Sequence, residues 1–545
     1  MNSPNFNRNA TAAVLVLVAF AAVGLVWLRQ PAADAPPPAV SAPTRAVMLT
    51  GLIDTSLQRV SNMQQSPSSA PPAQPVLAVM PFDAPADDGT LSAVADALCD
   101  AVLDRLQRDN GPTACACNSA RIAAQVGMSP AEVGRLLGVR WLLTGTLSRE
   151  GQQLRLRARL TATADGQELW THDALFAPDR LQQLPQQLAQ RVVGRAPAVA
   201  SEAPTSVHSP PGPAYAQYLQ ALRLRRIGGR ENLLEARRQL DEALALAPNY
   251  PPAIVASIGL NSNLLALGVG SGAAVDAQVR QAALHLRRVD PDGPQAALVG
   301  SSAAVGQRRW TEALQLLQHG AANHPQNATL LHTKAGILMM MGYLKQGQTV
   351  AHQVALLEPL NPSSHERLAR AWSLLGDDAR LHESAVLARE LGWGPQAAGF
   401  FGQHSLRQRN AADAERHWAE GLAAAQLPTE WLGPVLRAHL DPTVRVSAVA
   451  AVDAVPDAAR KAMNHLFLAY ALAGDVERTL GALARTREEV PTMWVTDLWL
   501  PEMAAVRRDP RFVEYARELG LTSLWEAHGE PDLCSLVNDK EWRCH

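Results

Sequence analysis

Cys115 and Cys117 stand two residues apart, the closest cysteine pair among the five in the chain. On an extended strand, residues i and i+2 point to one side. Two thiolates placed that way bind a soft metal or exchange a disulfide. The same residues also allow pairing of one of them with Cys99, or three buried thiols. Cys534 and Cys544 bracket the C-terminal end. Closed, they form a structural clip of a kind suited to an oxidising compartment, on the order of 2–3 kcal/mol by chain entropy. Left open, they are two thiols in a frayed tail, and the clip is the favoured reading.

Other chemistry is thin. Gly268-Val269-Gly270-Ser271-Gly272 evokes a phosphate loop, but no strand leads into it and no lysine follows, so it reads as an inter-repeat loop. His365-Glu366 lacks the second histidine of a zinc helix, since position 369 is Ala369. The fifteen histidines form no spaced cluster, and there is no Gly-x-Ser-x-Gly elbow. The residues therefore predict no catalytic set, no cofactor, no metal and no small-molecule substrate. A formal net charge of -2 gives no basic balance for nucleic acid.

The elements that carry these residues fall into two kinds. From Ala214 onward a four-point pattern recurs at about 34 residues: Val279, Ala283, Leu286 and Pro291, then Ala313, Leu317, Gly320 and Pro325, then Gly347, Ala351, Val354 and Pro359. Looser copies are Leu381, Ala385 and Ala388 with Pro395, and Ala414, Trp418 and Gly421 with Pro428. An earlier one is Ala236, Leu240, Ala243 and Pro248. A period of this length predicts stacked two-helix units, because one unit cannot bury its own apolar face. Gly342 and Gly376 mark turns between helices, and Gly474-Asp475 opens a late copy.

Before the repeats, Val76 to Met80 reads as a buried strand, and Leu91 to Leu106 as a helix with Cys99 beside its apolar face. Thr113 to Cys117 reads as a short strand. Ser119 and Ser129 are predicted N-caps, with Pro130 in the first helical position of the second helix. Leu154, Leu156, Ala158 and Leu160 alternate with Arg155, Arg157 and Arg159, the period of a half-buried strand. Glu150-Gly151 and Asp165-Gly166 are turn signals, so three antiparallel strands are expected from Trp141 to Phe176.

Val79-Met80-Pro81-Phe82, Leu137-Gly138-Val139-Arg140, Thr144-Gly145-Thr146-Leu147 and Gly166-Gln167-Glu168-Leu169-Trp170 resemble the TolB-like amino-terminal domain, related to the FlgO family. The likeness spans about 120 residues. It implies a membrane-bound bacterial protein whose α/β domain accompanies tetratricopeptide repeats, and it brings no catalytic residues. The Cys115/Cys117 pair is not part of the family pattern. Many relatives, such as CadC-like regulators, carry a winged-helix DNA-binding domain before the membrane helix, for which the roughly ten leading residues leave no room. Ala214 to Ala253 resembles a tetratricopeptide repeat, with Tyr218 and Ala221 on its first helix.

The expected fold class is α+β multidomain: an N-terminal transmembrane helix, a small α/β TolB-like domain and an all-α tetratricopeptide-type superhelix. The uncharged apolar run Thr11 to Leu28 is long enough to span a bilayer and outruns a signal-peptide core. The domains expected are a short cytoplasmic start (1–10), the span (11–28), a Pro/Ala-rich tether (29–75) with one possible helix at Val47 to Val60, the α/β domain (76–195), a linker (196–213), the repeats (214–521) and a tail with the Cys534–Cys544 clip (522–545). The cysteines favour the bulk of the chain in the periplasm, attached to the bacterial inner membrane.

Repeat superhelices receive protein segments on a concave face. The contact candidates are polar residues on first helices: Gln217, Gln220, His332, Lys334 and Arg367. Most exposed polar side chains on helices merely solvate the surface, which is the plain reading of each. The expected function is a non-enzymatic scaffold of an envelope complex. The alternatives are a signalling component related to CadC-like regulators, and a redox or metal protein using Cys115 and Cys117.

Overall fold

The computed structural model describes residues 75–545, apart from short stretches at 86–87, 109–110, 116, 126–128, 195–209, 268, 394–396, 425–426, 457–458, 460–465, 490–494 and 538–540. The expected span, the tether, its helix and most of the second linker lie outside the described residues. Among the described residues, no helix is long and apolar enough to cross a membrane.

The α/β part runs β1 (Leu77–Val79), α1 (Gly89–Arg108), β2 (Ala114–Cys115), α2 (Cys117–Gln125), α3 (Pro130–Leu137), β3 (Trp141–Glu150), β4 (Gln153–Ala162), β5 (Glu168–Phe176) and α4 (Leu184–Val193). The sheet order is β2-β1-β3-β4-β5, with β1 parallel to both neighbours and β3, β4 and β5 antiparallel. Leu154, Leu156, Ala158 and Leu160 are buried, while Arg155 faces out and grips Asp173 with two hydrogen bonds of 2.7 and 2.8 Å. That grip holds the Asp173 carboxyl down at about 2. Ser129 caps α3 in a capping box with Glu132, with Pro130 following it.

Two local expectations change. Cys117 opens α2 instead of ending a strand, so its side chain turns to α1 and forms a disulfide with Cys99 across 6.0 Å between Cα atoms. Cys115 stays on β2 and is buried as a thiol among Ala78, Val133 and Leu142. The two cysteines therefore do not share a side, and burial pushes the Cys115 thiol up, away from thiolate chemistry. Ser119 is no cap either. It lies inside α2, fully buried.

The helical part is of tetratricopeptide type. Its pairs are α5 (Gly212–Ile227) with α6 (Arg230–Leu246), α7 (Pro251–Ala266) with α8 (Gly272–Val289), α9 (Pro294–Gly306) with α10 (Trp310–Asn323), and α11 (Ala328–Met340) with α12 (Leu344–Leu357). Next come α13 (Pro362–Leu375) with α14 (Asp378–Ala388), α15 (Ala398–Arg407) with α16 (Ala411–Ala424), α17 (Leu432–Leu440) with α18 (Arg445–Asp453), and α19 (Leu466–Leu472) with α20 (Val476–Glu489).

Small residues let paired helices close up. A Cβ on Gly320 would sit 2.5 Å from that of Ala297, and one on Gly347 would sit 2.6 Å from Met339 Cγ. The left-handed turn between paired helices recurs at the repeat period, at Arg308, Gly342 and Gly376, and then at Arg409. Arginine occupies it twice, against the steric preference for glycine.

The regular pairs stop at Glu489, short of the expected 521. Two 3₁₀ turns follow, Val495–Trp499 and Pro501–Met503, then α21 (Ala504–Arg507), α22 (Pro510–Glu518), α23 (Leu521–His528) and the hairpin β6 (Cys534–Val537) and β7 (Glu541–Cys544). Cys534 and Cys544 are opposite each other in that hairpin and disulfide-bonded. This C-terminal segment is no separate tail. Trp499, Trp525, Trp542 and Phe512 share one core with helices α9 to α20.

Candidate partner-binding groove

Most successive first helices of the pairs touch one another, whereas successive second helices hardly do. The stack therefore curves with first helices on its inner face, where a superhelix receives partners. Both ends of those helices are occupied by other parts of the chain.

At the turns that join one pair to the next, the α/β domain docks. Leu360 N donates to Ser119 Oγ at 3.0 Å, Gln326 Nε2 donates to Thr113 Oγ1 at 3.1 Å, and the Cys115 thiol approaches Leu357 O at 3.3 Å. Leu360 and Leu387 share a buried cluster with Ala78, Met80 and Leu137. Beside them His365 is buried with its Nε2 2.7 Å from Pro359 O, and burial holds its pKa down at about 4.

At the opposite ends of the same helices lies the segment Val495 to Met503. Val495, Leu498, Trp499, Leu500 and Met503 are all buried. Trp499 Nε1 donates to Met340 O at 3.0 Å, and the ring lies against Gly342, where a Cβ would meet it at 3.1 Å. Asp497 accepts from Arg370 of α13 at 3.1 Å, and Glu502 accepts from Arg407 of α15 at 2.7 and 3.0 Å. Arg507 donates to the carbonyls of Leu498 and Leu500 at 2.8 and 2.6 Å, and so holds the backbone of the segment. The C-terminal half of the inner face is thus filled by a short, acidic, tryptophan-bearing stretch of the chain itself.

The N-terminal half is different. Helices α1 and α4 of the α/β domain roof the first helices α5, α7, α9 and α11, leaving a cavity of about 430 Å³. Tyr215, Tyr218 and Tyr250 line it with Arg105, Arg225 and Asp100, and Tyr218 and Tyr250 meet edge to face at 5.2 Å. Asp100 is already ion-paired with Arg121 at 2.6 Å. Arg225 lies over Gly259 of α7, where a Cβ would come within 3.2 Å of its Nη1. Burial lowers its pKa, opposed by Tyr218 and Asp100. The Oε1 atoms of Gln182 and Gln295, both lining residues, are buried without a hydrogen-bond partner among the described residues.

The polar residues singled out in sequence are placed as follows. Gln217 donates to Glu242 of the paired helix at 2.9 Å. Arg367 Nη2 donates to His332 Nε2 at 2.8 Å, linking α13 to α11. Burial and then that guanidinium push the His332 pKa well below its usual value, which suits a neutral, accepting ring. Arg367 lies over Gly336, the same device as Arg225 over Gly259. Lys334 is half-buried, its pKa lowered by burial, and Gln220 has a buried Oε1 without a partner among the described residues. The fold brings His332 and Arg367 together and does not gather all five. Sequence reasoning missed Arg225, Arg370 and Arg407. The available signal was an arginine on the face of α5 that also carries Tyr215 and Tyr218.

The fold therefore defines a repeat protein of tetratricopeptide-type helix pairs, with the N-terminal half of its inner face roofed by a small mixed α/β domain and the C-terminal half filled by Val495 to Met503. No family model matches the chain. A stretch of 111 residues is 32% identical to a putative adenylate cyclase 3 of Rhizobium meliloti, covering 20% of this chain and 19% of that one. The chain thus spans about a fifth of the length of that curated relative. Among solved structures it is similar to PilW, a widely conserved type IV pilus biogenesis factor, at 14% identity and a TM-score of 0.31, over 38% of this chain and 92% of that one. It is also similar to the Cut9–Hcn1 assembly of the APC/C, at 12% identity and a TM-score of 0.32 over 53% and 62%. A tetratricopeptide repeat protein from Parabacteroides merdae shows 12% identity and a TM-score of 0.29 over 53% and 98%.

Proposed function

We propose that this protein is a non-enzymatic scaffold that binds protein segments on the inner face of its repeat superhelix. The observation that carries the reading is the half-filled groove: its arginines and apolar floor already hold one acidic segment, Asp497 to Glu502, by side-chain ion pairs. The apolar run at residues 11–28 supports attachment to a bacterial inner membrane, and the disulfides Cys99–Cys117 and Cys534–Cys544 support an oxidising compartment such as the periplasm. In this reading, the resemblance to TolB-like domains fits an envelope complex. Capture with the full chain under mild crosslinking tests it. Recovery of the same partner across replicates supports the scaffold; recovery of no specific protein counts against it. A reporter active only in the periplasm, fused after Arg45, tests the placement, and an inactive reporter overturns it.

A signalling role is the second reading, favoured by the 111-residue likeness to a putative adenylate cyclase and by the resemblance to the sensory half of CadC-like regulators. It expects deletion to change the transcription of a small gene set, and an unchanged transcriptome removes it.

A further inference from the structure

The cavity between the α/β domain and the first helices is unlike a packing defect. Its volume of about 430 Å³ falls within the ~300–1,000 Å³ of ligand clefts, and its lining mixes aromatic and aliphatic surface with a few convergent polar groups. Core voids left by imperfect packing are apolar and small. Here, Arg225 carries a half-buried guanidinium with no hydrogen bond or ion pair to another described residue. The one acid in the lining, Asp100, is engaged by Arg121. A partly desolvated guanidinium whose nearby carboxylate, Asp100, is shared with Arg121 favours a further anion beside it. Gln182 Oε1 and Gln295 Oε1 are buried acceptors that lack donors among the described residues. Backbone N–H groups are the donors that would satisfy them.

We propose that this cavity is a second peptide seat, which takes a carboxylate-bearing segment of a partner protein. The occupied half of the groove shows the matching chemistry within the same molecule: arginines on first helices, Arg370 and Arg407, receive the carboxylates of Asp497 and Glu502 while Trp499 fills the apolar floor. In the open half, Arg225 takes the carboxylate, Tyr218 and Tyr250 supply flat apolar surface, and the two glutamine oxygens accept from the ligand backbone. The inference rests on the scaffold reading and names the kind of segment it binds.

The test uses the full chain in detergent and fluorescein-labelled synthetic peptides, read by anisotropy. One probe copies Thr496 to Trp499 with its ends blocked, so its only carboxylate is that of the aspartate. A second carries asparagine at that aspartate. A third copies Leu498 to Leu500 with a free C-terminal carboxylate. Binding of the first or the third, with the asparagine probe weaker by about tenfold or more, is expected. Whichever of the two binds more tightly identifies a side-chain or a terminal carboxylate as the group recognised.

Arg225→Gln should weaken binding by a similar factor, while Arg238→Gln, on an exposed surface pair with Glu235, should leave it unchanged. No binding by any probe, binding of the first probe equalled by the asparagine probe, or loss with Arg370→Gln but not Arg225→Gln overturns the proposal. The last outcome would mean that the peptide exchanges with the chain's own segment. Crosslinking capture reads the scaffold role separately: a partner recovered equally by wild type and Arg225→Gln leaves the scaffold standing and removes the cavity as its seat.

Discussion

The two halves of the inner face use the same materials to different ends. In the C-terminal half, Arg370 and Arg407 meet carboxylates, Trp499 is wholly buried, and Arg507 satisfies the backbone of the segment that lies there. In the N-terminal half, Arg225 has Tyr218 and Asp100 near it but no ion pair among the described residues, and aromatic rings line the cavity. A groove built from one kind of helix pair is thus part of the core at one end and a receptive surface at the other. The difference comes from what lies on the helices, since the pairs themselves share one geometry. Burying a segment with its charges paired turns a binding face into structure.

That contrast can be broken most forcefully at Trp499. Trp499→Ala removes a fully buried ring that packs on Phe512 and Trp525 and donates to Met340 O, and it should cost about 3–5 kcal/mol in urea unfolding of the full chain. A loss below about 1 kcal/mol would mean that the segment is a loosely held ligand instead of core.

The next effect is set by pH at His365, on α13 beside the docked α/β domain. His365 is held near 4 by burial, below its ordinary 6.5, so the unfolded chain binds the extra proton first. Its contribution is fully present above pH 6.5 and is lost as pH falls from 6.5 towards 4, roughly 3 kcal/mol in all. His332 shifts in the same direction. A His365→Gln variant should show a flatter stability profile in that window, and an unchanged slope would contradict the assignment.

Glu502→Gln breaks the Arg407–Glu502 pair, whose side chains are 11% and 6% exposed, and leaves Arg407 with Asp378 at 3.2 Å as its ion-pair partner among the described residues. The expected loss is roughly 2–3 kcal/mol. The mirror experiment in the other half is Arg225→Gln, which removes a half-buried cation with no ion pair among the described residues. It should leave the thermal midpoint unchanged or slightly raised, and a clear drop would show that Arg225 is structural like Arg407.

Much of the architecture was legible because it is written in local periodicity. The alternation of Leu154 to Leu160 with Arg155 to Arg159 places β4, the Ser129–Glu132 box starts α3, and the small residues Gly320 and Gly347 fall where paired helices touch. The groove was less legible. Gln217 and His332 look like surface polars along a helix, yet each has a partner on another helix that no local pattern announces. Cys117 failed as a strand residue for a similar reason. Its helical start, together with the position of Cys99, decides its bond.

By itself the amino-acid sequence determined the helix-pair period, the strand alternation and the positions of turns, because each depends on neighbours within a few residues or on a repeat of fixed length. Only the tertiary structure decided which faces stay open. Residues 495–503 carry no periodicity that marks them for the inner face, and they lie over 100 residues from most of the helix positions they cover. Such placement depends on long-range burial and charge pairing, whose energies sum over contacts that exist only once the chain has folded. The same holds for the cavity, whose walls come from two parts of the chain and whose arginine, Arg225, is seen to face it only when both are in place.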